Sequence, residues 1–440
     1  MAPTELTRHP VPDAPVDVAV VGGGLAGLAA AATAARAGAS VALVEPHPLG
    51  GRARADVVDG FTLNRGPRAL YLDGEGAGVL DALGVPWRTG GPPRLDGGLV
   101  LRAGRAHTFP TGPGSLLRTG LLSGAERLRA AALLARLSRP DRRGRDRDLV
   151  GRAVGSWLEE VAPTPALADL LAAVVRLTTY VEAPTELDAH AAVTQVRRGL
   201  GAGVRYLDGG WQSLVDALAG IVATAGGIQV ASRATALHED DGGVEVETAD
   251  GTVRARAAVV ALGSPGAAAT LLGGRPDGWP AEDRPATAAC LELGLRRRPA
   301  HPFLLGADDP VYLSTHAPPA RLAPPGGAVV HLLRYHGPDE RMSAADQREG
   351  LRQVAAEAGI GDDDVVVSRF HARVVVTAAL PLAGSGGLAG RPPVAVPGRP
   401  RTALAGDWVG PAGMLADAAL ASGAAAGRHA AASLARLVAP

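Results

Sequence analysis

The chain has 440 residues, a formal net charge of zero, 47% hydrophobic and 20% charged residues. That length is more than one core needs and implies two domains of ordinary globular composition, and a neutral chain gives no electrostatic reason to bind nucleic acid. The single cysteine, Cys290, excludes an intrachain disulfide, a redox dithiol and a cysteine metal site.

Residues 1–15 are polar and proline-containing and lack the apolar run of a signal peptide. A cytoplasmic location is the expectation. The first patterned element is Val16 to Val21, a short valine-rich run that reads as a buried parallel strand. It ends in Gly22-Gly23-Gly24-Leu25-Ala26-Gly27, a G-x-G-x-x-G. An alanine-rich helix follows over Leu25 to Ala37 and stops at Gly38, and a second apolar run, Ser40 to Val44, closes on Glu45. This is a complete βαβ dinucleotide-binding unit. Gly22 permits the tight turn, Gly24 lets the backbone approach a pyrophosphate, and Gly27 lets helix and strand pack closely. The phosphates then sit at the positive helix N-terminus, beside Leu25 and Ala26. Glu45 can accept both hydroxyls of an adenosine ribose and would repel a 2′-phosphate, so the ligand is FAD or NAD and not NADP.

Further along come Gly50-Gly51-Arg52 and then Asn64-Arg65-Gly66-Pro67-Arg68-Ala69-Leu70-Tyr71. With these motifs the chain resembles the flavoprotein superfamily of phytoene desaturases, protoporphyrinogen oxidase and flavin-containing amine oxidases. The resemblance implies FAD. It lays Gly50, Gly51 and Arg52 along the pyrophosphate and ribityl chain, and runs Gly66 and Pro67 beside the isoalloxazine. Two later segments match in order. Tyr206 to Trp211 precedes a helix over Leu214 to Ala225 and strands over Ile228 to Leu237, Val244 to Thr248 and Val253 to Leu262; here the resemblance places Ala234 at the adenine. Ala403 to Trp408 precedes Gly413-Met414-Leu415 and a small-residue helix to about Leu437. The resemblance puts Gly406 and Asp407 at the pyrophosphate and ribityl region, and aims the N-terminus of that helix at the flavin edge that becomes anionic on reduction.

The implied architecture is α/β. A Rossmann-like FAD-binding domain, about 1–75, 200–270 and 398–440, is interleaved with a substrate domain. That second domain combines a helical insertion, 76–199, with a strand-rich insertion, 275–397, whose runs are Ala288 to Leu295, Val311 to Ser314, Ala328 to Leu333 and Val365 to Val376. In the resembling family such a sheet roofs the substrate cavity. The helical insertion contains a helix over Ala125 to Ser138 and then a charged break, 139–148, read as a solvated loop. The alternative for the break is peripheral contact with an anionic membrane surface.

No lysine occurs anywhere in the chain. That excludes a Schiff base and a P-loop lysine. It also removes the lysine that amine oxidases of the resembling family place near flavin N5, and the aromatic pair that cages their substrate amine is missing, with only Trp408 nearby. In flavin dehydrogenation the cofactor accepts the hydride, so no catalytic side chain is forced. Arg68, Tyr71, Arg176, Tyr180 and Arg373 are the substrate-side candidates. His301, His331, His336 and His371 are scattered without metal-ligand spacing, and no metal is expected. The reading is an FAD-dependent oxidoreductase of desaturase or dehydrogenase type acting on a small lipophilic substrate. The alternatives are an amine oxidase, a redox-neutral polyene isomerase and a non-enzymatic prenyl or lipid binder of the same fold.

Overall fold

The computed structural model describes residues 6–141 and 144–436. Part of the charged break, 142 and 143, and the end of the last helix at Leu437 lie outside the described residues.

The βαβ unit forms as the pattern dictates. Strand Val16–Val21 and strand Val41–Val44 pair in parallel, and the helix Leu25–Arg36 crosses between them, its C-cap at Ala37. Ten of that helix's residues are buried, so its alanines are a packing requirement. The C-terminal helix, Leu415–Arg436, lies against it. A Cβ on Gly423 would stand 2.3 Å from the Ala26 carbonyl oxygen, and one on Gly427 2.4 Å from that of Ala30. Only glycine permits so close an approach of two helices.

Around this pair runs a nine-stranded sheet. Its main path orders Arg8–His9, Ile228–Val230, Val41–Val44, Val16–Val21, Gly251–Val260, Val244–Thr248 and Ala234–Glu239. Strand Arg399–Leu404 joins in parallel beside the end of Gly251–Val260. The run read as one strand over Ile228 to Leu237 is two. Ile228–Val230 pairs in parallel with Val41–Val44, whereas Ala234–Glu239 turns to pair antiparallel with Val244–Thr248.

A second, seven-stranded sheet orders Val365–Thr377, Ala286–Leu295, Ala328–Tyr335, Val311–Ala317, Phe303–Gly306, Leu99–Arg102 and Arg105–Thr108. The last two strands come from the stretch read as helical. They form a hairpin that enters this sheet through a parallel pairing of Leu99–Leu101 with Leu304–Gly306. The rest of that stretch is largely helical, including Gly124–Leu137, Val154–Val161, Pro165–Thr179 and Ala189–Leu200. Helix Glu75–Leu83 packs instead against the C-terminal helix and Leu25–Arg36. Among the described residues no helix is long and apolar enough to cross a membrane.

Candidate active site

A cavity of about 280 Å³ opens between the two sheets, where the three glycine-rich segments meet. Gly22, Gly24, Leu25, Ala26, Glu45, Gly50, Gly51, Arg52, Gly66, Pro67, Gly406, Asp407 and Leu415 all line it. Gly27, Ala234, Gly413 and Met414 do not.

The three glycines of the first turn act differently. A Cβ on Gly22 would lie 2.4 Å from the Ala261 carbonyl oxygen, and one on Gly27 only 1.9 Å from that of Gly22. Both are demanded by the protein's own packing. A Cβ on Gly24 would meet nothing within 4 Å. Its bareness keeps space open inside the cavity. Gly24 is also the N-cap of Leu25–Arg36, with no side-chain cap and no acid in the first turn. The leading amides of a buried helix are thus left for an outside anion.

Glu45 faces the same space. Its Oε2 accepts from the Gly23 amide at 2.9 Å and its Oε1 from the His47 amide at 2.9 Å. Each oxygen keeps a lone pair for a hydroxyl donor. Arg52 reaches across to Asp407. Nη2 donates to Oδ1 at 2.7 Å and Nη1 to Oδ2 at 2.9 Å, and the Ala378 amide also donates to Oδ2 at 3.0 Å. Burial alone would raise the Asp407 carboxyl, but the Arg52 charge and these donors hold it below its ordinary value. Ser422, on the C-terminal helix, exchanges hydrogen bonds with the Gly406 backbone at 2.9 Å and fixes the loop that carries Asp407.

Asp417, in the first turn of the C-terminal helix, lines the cavity too. It accepts from the Gly76 amide at 3.0 Å and lies 3.5 Å from Arg198 Nη1. Burial pushes it up to about 7, against the pull of Arg198 and Gly76. All three cavity acids, Glu45, Asp407 and Asp417, are therefore engaged by donors of the chain itself.

The wall on the side of Gly66 is different. Ala69, Leu70, Tyr71, Tyr180, Leu333, Val374 and Val376 form it. Tyr71 donates its hydroxyl to the Thr178 carbonyl at 2.7 Å. Tyr180 caps the helix Pro165–Thr179 in the left-handed region, φ 58°, and its ring meets those of Tyr312 and Tyr335 edge-on. Arg68 is the cation of this wall. Nη2 donates to the Arg52 carbonyl at 2.8 Å, the guanidinium lies 5.9 Å from the Trp211 ring centroid, and Nε is buried without a partner. No carboxylate of the described residues forms an ion pair with it, and burial together with nearby Arg52 lowers its basicity.

Besides Gly27, five of the expected site residues do not line the cavity: Arg176, Arg373, Ala234, Gly413 and Met414. Arg176 is engaged away from the cavity. It donates to the carbonyls of Gly306 at 3.0 Å and Ala307 at 2.6 Å and pairs with Glu182 at 3.0 Å, stapling its helix to the roof sheet. Arg373 is exposed and lines a separate, polar cleft with Glu182, Asp283 and His336, beside the bulge where its strand shifts register against Ala286–Leu295. Ala234 falls past the bend after Val230 and is not among the residues that line the cavity. Gly413 and Met414 sit behind the lining, where Gly413 packs toward Glu75 and Met414 joins the helical core.

Asp417 and Glu292 stand in no sequence motif. Glu292, fully buried in Ala286–Leu295, accepts from the Gly66 amide at 3.1 Å, from Arg369 Nε at 2.7 Å and, at 3.2 Å, meets His331 Nε2. His371 Nε2 stands 3.4 Å away. Two of the histidines that look scattered along the chain thus converge on one carboxylate. The signal was present: Glu292 is the one charged residue in a ten-residue buried strand.

Comparison with known proteins agrees with this geometry. The sequence profile of the family described as flavin containing amine oxidoreductase matches residues 25–430. The chain belongs to this family and is a flavin-dependent oxidoreductase with FAD as its cofactor. A carotenoid 3,4-desaturase of Haloarcula japonica is 56% identical over 57 residues, which is 13% of this chain and 11% of that protein, so the match spans a small part of either. An oxidoreductase from Methanosarcina mazei superposes with a TM-score of 0.71 at 18% identity, covering 93% of this chain and 99% of its own. Cyclohexylamine oxidase from Brevibacterium oxydans superposes with a TM-score of 0.67 at 19% identity, covering 97% and 100%. At such identities the two structures establish the fold alone.

Proposed function

We propose that this family member is a dehydrogenase of desaturase type, which takes a hydride, and net two hydrogens, from a largely apolar small molecule with one anionic or polarised end. FAD, when bound, accepts the hydride at its N5. The chain positions the substrate and keeps water out. The observation that carries the reading is the asymmetry of the cavity. Its acids are all paired to donors of the protein, while the wall of Ala69, Leu70, Leu333, Val374 and Val376 is apolar and holds one cation, Arg68, without a carboxylate.

An apolar body gains about 25 cal/mol for each Å² it buries against such a wall. A cationic amine would lose its hydration there and meet Arg68 instead of a free carboxylate. The partial match to a carotenoid desaturase supports the same direction. The missing lysine argues against amine oxidation with oxygen as acceptor.

The test uses matched lipophilic substrates that differ only at one end, a free carboxylic acid and its methyl ester. Under anaerobic conditions the acid should bleach the flavin at lower concentration than the ester in the native protein, and Arg68→Met should erase that preference while the flavin stays bound. An unchanged preference in the variant would remove Arg68 from substrate recognition.

A further inference from the structure

Gly66 lines the cavity with φ 113°, a conformation that glycine adopts freely and other residues rarely do. Its amide hydrogen is spent on Glu292 Oε1. That carboxylate arrives from a strand of the other sheet, 226 positions away, and is 0% exposed. Its second oxygen takes Arg369 Nε at 2.7 Å, and Arg369 Nη1 extends the contact to Asp56 at 2.6 Å. A carboxylate so placed is costly to bury. Its four neighbours offset that cost, and one of the four is a backbone amide of the cavity wall. The remaining charged groups around it are Arg68 on the cavity side and Asp56 with Arg65 on the outer side.

We propose that Glu292 is a positioning residue for the cofactor. It clamps the Gly66–Pro67 turn against the cavity and sets a fixed negative charge behind it that tunes the electron affinity of the bound flavin. The inference rests on the flavin cofactor and on no particular substrate. The residue is distinct from the substrate-side groups, since it does not line the cavity and reaches it only through the Gly66 amide.

The sign of the effect separates this role from simple scaffolding. Glu292→Gln keeps the volume and removes a negative charge, so reduction becomes easier and the midpoint potential rises. Arg369→Gln removes the opposing positive charge from the far oxygen and keeps the Glu292–Gly66 bond, while it also gives up its donors to Asp56 and to the Leu63 carbonyl, so the potential falls. Both are measured by anaerobic, dye-equilibrated titration of flavin-loaded protein, with the visible flavin circular dichroism as a second readout. Shifts of opposite sign, with a changed dichroism in Glu292→Gln, are the expected result. Shifts of the same sign, or wild-type potentials in both, overturn the inference. If Glu292→Gln does not fold, Arg369→Gln decides alone: a lowered potential supports the role and an unchanged one ends it. A purified native protein without flavin would overturn the cofactor assignment and this inference with it, whereas flavin-loaded variants with unaltered potentials sink only the latter.

Discussion

Arg52 and Asp407 stand 355 positions apart in the chain and meet in a bidentate ion pair at the cavity, with N–O distances of 2.7 and 2.9 Å. The pair ties the first glycine-rich segment to the last. Arg52 also donates to the Val376 carbonyl, and Asp407 accepts from the Ala378 amide, so the roof strand is held at the same point. Three separated stretches of sequence are thereby fixed relative to one another before any ligand enters.

Removing Arg52 leaves the Asp407 carboxylate buried and short of donors. Arg52→Ala should cost about 1–3 kcal/mol of stability at neutral pH. The pH dependence has a definite sign. The native Asp407 carboxyl lies below its ordinary value, so its contribution is present above about pH 4 and is lost as pH falls through the native value. Urea denaturation at pH values from about 2 to 6 should show a wild-type stability gain over the variant that shrinks toward acid. Parallel curves across that range would show that the pair does not couple to folding.

Much of this organisation is legible in the sequence, and the reasons are local. Val16–Val21, Leu25–Arg36 and Glu45 announce themselves because turn, helix and acid stand at fixed spacing and each residue type has one job. The strands read over Val253 to Leu262 and Ala328 to Leu333 form with ends shifted by two residues, as Gly251–Val260 and Ala328–Tyr335. Three features are not legible for a common reason: they depend on pairing over long distances. The hairpin Leu99–Thr108 carries no apolar alternation strong enough to place it in a sheet that begins near residue 286. The bend between Val230 and Ala234 appears only when two different partners claim the two halves of the run. Arg176 and Arg68 look alike as charges in apolar surroundings, and only the carbonyls of Gly306 and Ala307 separate them.

Glu45 should matter for affinity more than for folding. Its two oxygens already accept backbone amides, yet each keeps a lone pair and the residue lines the cavity. Glu45→Ala should weaken FAD binding by about 1.5–3 kcal/mol for each charge-assisted bond lost. Flavin occupancy after dialysis, read from the ratio of visible to ultraviolet absorbance, should drop sharply while thermal unfolding of the flavin-free protein changes little. Full occupancy would show that the ribose is held elsewhere.

A chain without lysine cannot present an ammonium group to the flavin. Protein reduced by dithionite should therefore reoxidise slowly when mixed with oxygen in a stopped-flow instrument, and faster with a quinone. Rapid reoxidation by oxygen would mean that Arg68 or another cation replaces the lysine in that role.

Dehydrogenation of an apolar substrate, with amines refused, is the proposed activity of this cavity. The most direct measurement is anaerobic bleaching of the flavin absorbance against a panel of polyenes, porphyrinogens and simple primary amines. Bleaching by a lipophilic member of the panel and a stable yellow spectrum with every primary amine are expected. Bleaching by a simple primary amine, with none by the lipophilic compounds, would contradict that activity.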